Sequence, residues 1–128
     1  MEKSLSIEQK ALKINLNSGI YGSFAEIGAG QEVVRHFFRA GAAAGTIAKS
    51  MSAYDMAMSD AIYGKERSGR YVCESRLKKM LSKEHGLLKR RLTSKKYEKT
   101  KFFVFADTVA TSGHGQKKSG SGWMGVKF

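Results

Sequence analysis

Apolar positions along this chain recur at two spacings, and the spacings divide it into elements. Ser6-Ile7-Glu8-Gln9 has the form of a capping box and opens a short helix running to about Asn15. Asn17-Ser18-Gly19 reads as a turn. A second Ser-x-x-Glu, Ser23 to Glu26, precedes Phe24, Ile27, Val34, Phe37 and Phe38, which fall on a helical stripe. That stripe predicts a second helix with Gly28 and Gly30 inside it. Two interior glycines cost roughly 1–2 kcal/mol against alanine, a tolerable sum where another helix packs closely. The competing reading makes the same stretch a short strand, a Gly-x-Gly turn and then a helix.

Further along, Gly41-Ala42-Ala43-Ala44-Gly45 is a small-residue segment, either a tightly packed helix end or a joint. Ser52 to Asp55 starts a third helix, with Asp55 near its positive end, an apolar side of Met56, Ile62 and Tyr63, and Gly64 as its cap. Lys65 to Arg70 is a polar turn. The longest helical pattern runs from about Tyr71 to Leu92. Leu77, Met80, Leu81, Leu88 and Leu92 share one face, and Arg76, Lys79, Lys83 and Arg90 take the other. Residues 102–110, FFVFADTVA, form a continuous apolar run rich in β-formers, which predicts a buried strand. TSGHGQKKSGS is then a loop, and GWMGVKF a returning strand, so the two strands make a hairpin. The fold class expected is α+β: about four helices followed by a C-terminal β-hairpin in an incomplete sheet, within a single domain over 1–128.

Composition narrows this picture. With 128 residues, 41% of them hydrophobic, the chain has enough apolar material for one core. A single cysteine, Cys73, excludes an internal disulfide and a multi-cysteine metal site. No run of about 18 apolar residues and no N-terminal apolar segment is present, so no membrane partner and a cytoplasmic location are expected.

Charge changes the picture more. The net charge is +12, and it is lopsided: residues 1–75 hold 9 Lys/Arg against 8 Asp/Glu, whereas residues 76–128 hold 14 against 3. Such asymmetry points to an anionic partner on the second half, with RNA and DNA as candidates. The residues that would make those contacts are Arg76, Lys79, Lys83, Lys89, Arg90, Arg91, Lys95 and Lys96. Tyr97 and Phe102 lie beside them and could stack on bases, although a strand core accounts for Phe102 as well. The plainer alternative is a solvated face. No zinc-finger, KH or RRM signature is present.

Other chemistry is sparse. His36, His85 and His114 have no second ligand at metal spacing, so no metal and no cofactor are expected. His36 reads as a structural residue beside an apolar helix face. Cys73, near a helix N-terminus, has no neighbouring histidine to pair with. Asp107, towards the end of the apolar strand, occupies a common catalytic position that is also a common turn position. AEIGAGQE resembles the first motif of S-adenosylmethionine-dependent methyltransferases through Glu26, Gly28 and Gly30. The third glycine position of that motif is Glu32, and residues 42–60 display no evident second strand, so nucleotide binding at Gly28 and Gly30 is the lesser reading.

Six blocks, YGSFAEIGAGQEVVRHFFRAG, TIAKSMSAYDM, IYGKE, RYVCESRL, FFVFADTVA and GWMGVKF, resemble consecutive segments of one family of longer bacterial proteins. The resemblance spans nearly the whole chain and implies the N-terminal part of a larger architecture. Members of that family carry the labels "TonB-dependent receptor" and "nicotinate-nucleotide adenylyltransferase". An outer-membrane barrel needs an export signal and repeated amphipathic strands, which conflicts with the first label. The second implies a His-x-Gly-His turn, and Gly113-His114-Gly115 is not that motif. The expectation is therefore a non-catalytic binding or assembly module whose basic second half meets an anionic partner. One alternative is a nucleotide-binding enzyme fragment of adenylyltransferase type. Another is a module that self-associates through the edge strand 122–128.

Overall fold

A computed structural model describes residues 4–111 and 120–128. Four α-helices surround a four-stranded mixed sheet of order β2-β1-β3-β4. The elements are α1 (Ile7–Asn15), β1 (Ile20–Gly28), α2 (Val33–Ala40), β2 (Ile47–Ala53), α3 (Met56–Tyr63), α4 (Glu74–Arg91), β3 (Lys101–Ala110) and β4 (Ser121–Lys127). Strands β1, β2 and β3 are mutually parallel, and β4 returns antiparallel to β3 as a C-terminal hairpin. The fold is α+β, and the sheet does not close: β2 and β4 are its two edges.

Several local predictions hold for plain chemical reasons. At α1 the Gln9 amide donates to Ser6 Oγ at 3.1 Å, and the Ser6 amide donates to Gln9 Oε1 at 2.8 Å, completing the capping box. Asp55 caps α3 by accepting from the Ala57 amide at 3.1 Å. Gly64 ends α3 with φ +90, a conformation open to glycine.

Residues 23–28 overturn the helical stripe. They are strand, and Ser23 is a buried strand residue instead of a helix cap. The reason is that β1 is central and covered on both faces. Alternate side chains of a strand point to opposite faces, so Phe24 and Ile27 are both buried, against different layers. Their spacing of three only imitated a helix. The second parallel strand also exists, as β2, although its Ala, Lys, Ser and Met sequence carries no strand-like signature. As an edge strand it buries little, and only Ala53 at its end is fully covered.

Helices cover the two faces unequally. On one face, Ala25, Ile27 and Ala106 pack with Leu77 and Met80 of α4, forming the principal core. On the other, the Phe24 ring lies 4.9 Å from that of Phe37 in α2. Asn15 joins α1 to this layer by donating to the carbonyls of Phe37 and Gly41. The α2 face stays open over β3 and β4, where Phe24, Phe37, Phe103, Phe105, Val126 and Phe128 line a trough of about 720 Å³.

Candidate functional site

The topology singles out one place for a ligand. From β1 the chain crosses through α2 to β2 on one side, then returns through α3 and α4 to β3 on the other side of β1. The carboxyl ends of β1 and β3 thus flank a topological switch point, the crevice where open parallel sheets bind ligands. The turn after β1 is Gly28-Ala29-Gly30, so the stretch is a strand, a Gly-x-Gly turn and then a helix.

Both glycines answer to the protein's own packing. Gly28 has φ +75, and a Cβ there would come within 2.2 Å of the Val109 carbonyl oxygen. A Cβ on Gly30 would meet Val109 Cγ2 at 2.7 Å and Asp107 Oδ1 at 2.8 Å. The Ala29 amide donates to the Val109 carbonyl at 3.0 Å, which ties the turn to the end of β3.

The chemistry of the crevice is carboxylic. Phe24-Ala25-Glu26 of β1 pairs in register with Phe105-Ala106-Asp107 of β3, which places the two acids side by side. Glu26 is 2% exposed and Asp107 4%. Glu26 accepts from the amides of Val33 at 3.1 Å and Val34 at 3.2 Å, so it fills the open donors at the start of α2. Burial, and then the hydrogen bond and charge of Glu26, push Asp107 up to about 8. At neutral pH Asp107 therefore keeps its proton. Its Oδ1 has no hydrogen-bond partner among the described residues. Nothing in the motif reading paired these two acids. The recurrence of Phe-Ala-acid in two apolar runs was the available signal.

Beside this pair, a cleft of about 510 Å³ opens between α2 and β2. Buried Glu26, Gln31, exposed Ser50 and Ser52, and Phe38 and Tyr54 are among the residues that line it. Phe38 and Tyr54 are large exposed hydrophobic residues. Gln31 Nε2 donates to the carbonyls of Gly28 and Glu26, at 2.9 and 3.1 Å, and so rigidifies the turn.

The basic residues do not form one surface. Arg76 is a correction to the expected anion-binding set: it is 0% exposed and serves the fold. Its Nε donates to Glu66 at 2.9 Å, its Nη2 to Asp60 and to the Gly64 carbonyl, each at 2.6 Å, and its Nη1 to Ser59. Lys79 donates to Glu66 at 3.1 Å. Lys83 donates to the Ile62 carbonyl and lies over the Tyr63 ring. Lys89, Arg90, Arg91, Lys95 and Lys96 differ: all are exposed, and none has an ion-pair partner among the described residues. They cluster where α4 ends and β3 begins, at the amino end of the parallel strands.

The remaining candidates are quickly placed. His36 Nδ1 lies 3.4 Å from Glu8 Oε1 and links α2 to α1, a structural position. His85 is held below the ordinary imidazole value by burial, then by Lys127 and Lys89. Burial would raise the Cys73 thiol, but hydrogen bonds from Ser75 and the Arg76 backbone outweigh it and lower it. His114 lies outside the described residues. Among those residues no group of His, Cys, Asp or Glu is placed to hold a metal ion, and no helix is long and apolar enough to cross a membrane.

No family model matches the chain. No curated protein matches it either. Among solved structures the chain is similar to the competence/damage inducible protein CihA from Agrobacterium tumefaciens, with a TM-score of 0.60 and 19% identity over 92% of this chain and 69% of that one. At that identity the likeness is one of fold.

Proposed function

We propose that this chain is a small-molecule-binding domain whose site lies at the carboxyl ends of β1 and β2, between the Glu26–Asp107 pair and the α2–β2 cleft. The observation that carries the reading is the cleft between α2 and β2, which opens beside the switch point with its Gly-x-Gly turn and buried acid pair. The ligand class it supports is nucleoside-like: a planar apolar part against Phe38 and Tyr54, and hydroxyl or amino groups facing Ser50, Ser52 and Gln31. Phosphate is disfavoured at the start of α2, because Glu26 already occupies the amides that would cradle it. This argues for nucleoside binding over an adenylyltransferase-type reaction, which must hold a polyphosphate. Thermal denaturation with a panel of nucleosides and their mono- and triphosphates is the test. Nucleosides should raise the melting temperature at least as much as the triphosphates do. No shift with any member at millimolar concentration would sink the reading.

A second reading stands on a separate observation, the cations at the opposite end of the sheet that have no ion-pair partner among the described residues. Lys89, Arg90, Arg91, Lys95 and Lys96 are proposed to meet an anionic polymer, with nucleic acid the best fit. Binding would weaken steeply with salt, because each neutralised phosphate releases counterions. The two sites lie at opposite ends of the strands, so neither proposal depends on the other.

A further inference from the structure

From the basic end of the sheet we infer a site for single-stranded nucleic acid, in which a base stacks on Tyr97 while the lysines around it hold the backbone. The inference rests on the second reading above and makes it specific. Charge alone would accept any polyanion; the aromatic groups are what narrow the choice.

Tyr97 lies in the short 3-10 turn Lys95–Tyr97 between α4 and β3. Its ring lies nearly parallel to that of Tyr21, with centroids 6.0 Å apart and planes 16° off, and its centroid is 6.1 Å from that of Phe102. Tyr21 and Phe102 are register partners on β1 and β3, so the sheet itself holds the aromatic group in place. All three rings are only half-buried. Beside them is a cleft of about 290 Å³, walled by Ser18, Tyr21, Gly45, Tyr97 and Thr100. Small-molecule sites run from about 300 to 1,000 Å³, so this one has room for a single planar ring. The Ser18 and Thr100 hydroxyls at its wall can hydrogen-bond a base edge, and the tyrosine faces can stack on the ring.

The charges fit the same ligand. Lys95, Lys96, Lys99 and Lys101 flank the aromatic cluster, all exposed and none ion-paired among the described residues. Lys96 Nζ lies 5.3 Å from the Tyr97 ring centroid. Glu98 is the acid of this segment, and it too is exposed. A duplex keeps its bases stacked on each other and offers no face to Tyr97. A single strand can turn a base out against the ring while its phosphates meet the lysines. The arrangement therefore predicts a preference for single strands with little sequence selectivity.

Fluorescence anisotropy tests this with a labelled single-stranded oligonucleotide and a duplex of the same length, at two salt concentrations. The wild-type chain should bind the single strand more tightly. Tyr97→Leu, which keeps apolar bulk, should weaken single-strand binding roughly tenfold, within the range for loss of one base–aromatic stack, and leave duplex binding unchanged. Tyr97→Phe should restore the preference. The double change Lys95→Ala and Lys96→Ala should weaken both ligands and flatten the salt dependence. Equal binding of single strand and duplex, or an equal loss of both in Tyr97→Leu, would overturn the stacking site and leave the basic surface standing. Failure of the wild-type chain to bind either ligand at low salt would overturn both.

Discussion

Helix α4 carries basic residues along its whole length, and they are used in opposite ways. Arg76, Lys79 and Lys83, from its start to its middle, reach across to α3 and the loop after it. There they bind Glu66, Asp60 and the carbonyls of Gly64 and Ile62. Lys89, Arg90 and Arg91, at the other end, reach solvent with no acidic partner among the described residues. Residue type is the same and the helix is the same. What differs is the neighbour: Arg76, Lys79 and Lys83 face α3 and the loop after it, which supply Asp60, Glu66 and free carbonyls, whereas no acid of another element pairs with the last three cations among the described residues. The engaged cations hold two helices together, while the unengaged ones are available for a partner. A count of charges along a sequence merges the two groups.

Changing Arg76 should break this comparison most severely. Arg76→Ala would leave Glu66 buried and Asp60 without its partner, and breaking a buried pair in this way costs about 3–5 kcal/mol. Chemical denaturation followed by circular dichroism should register a large fall in midpoint. A stability near wild type would mean the network is dispensable. Gly28→Ala should come next. It places a Cβ against the Val109 carbonyl at a positive φ, and overpacking of this kind costs about 1–3 kcal/mol. A smaller loss would imply that the turn after β1 moves freely.

The acids at the two sites give opposite pH dependences. Burial acts to raise Glu66, but its hydrogen bonds from Ser75, Arg76 and Lys79 hold it below the ordinary carboxyl value. Its contribution is complete above that ordinary value and fades as acid protonates it. Asp107 is raised to about 8, so it stabilises the fold at low pH and that contribution declines as pH climbs through its folded value. Asp107→Asn, which imitates the neutral acid, should therefore melt higher than wild type at pH 9 and match it near pH 4. Each kcal/mol recovered is worth roughly 3–6 °C in a domain of this size. An equal difference at both pH values would show that the acid does not titrate in this range.

The smallest effect on stability is expected from the outer cations. Replacing Lys89, Arg90 and Arg91 together with alanine should alter folding by no more than about 0.5 kcal/mol per site, because exposed unpaired charges contribute little. The same variant should lose polyanion affinity and much of its salt dependence. A large loss of stability would instead place these residues with Arg76, as parts of the fold.

How far the site was legible follows from particular residues. The capping box of α1, the Asp55 cap, the strand over 102–110 and its returning partner depend on neighbours in sequence, and they could be read directly. The strand β1 could not. Its Phe24 and Ile27 look alike in a one-dimensional pattern, yet they face different layers, and only the placement of α2 and α4 on opposite sides makes both of them core. Strand β2 was equally hidden, because an edge strand buries little and needs no apolar alternation. The acid pair was half visible, as a repeated Phe-Ala-acid triplet, but its adjacency exists only because β1 and β3 pair in register.

The sequence by itself determined the α+β class, the C-terminal hairpin, the helix caps and the excess of positive charge in the second half. These follow from local backbone preferences and from composition. Tertiary structure alone decided which cations are spent on Glu66 and Asp60 and which have no ion-pair partner among the described residues. It alone decided that Glu26 meets Asp107, and that Gly28 and Gly30 form a turn at a switch point instead of the middle of a helix. The physical reason is common to all of these. Burial, ion pairing and a shifted proton affinity depend on distances between residues far apart in the chain, and those distances are set when the strands choose their neighbours.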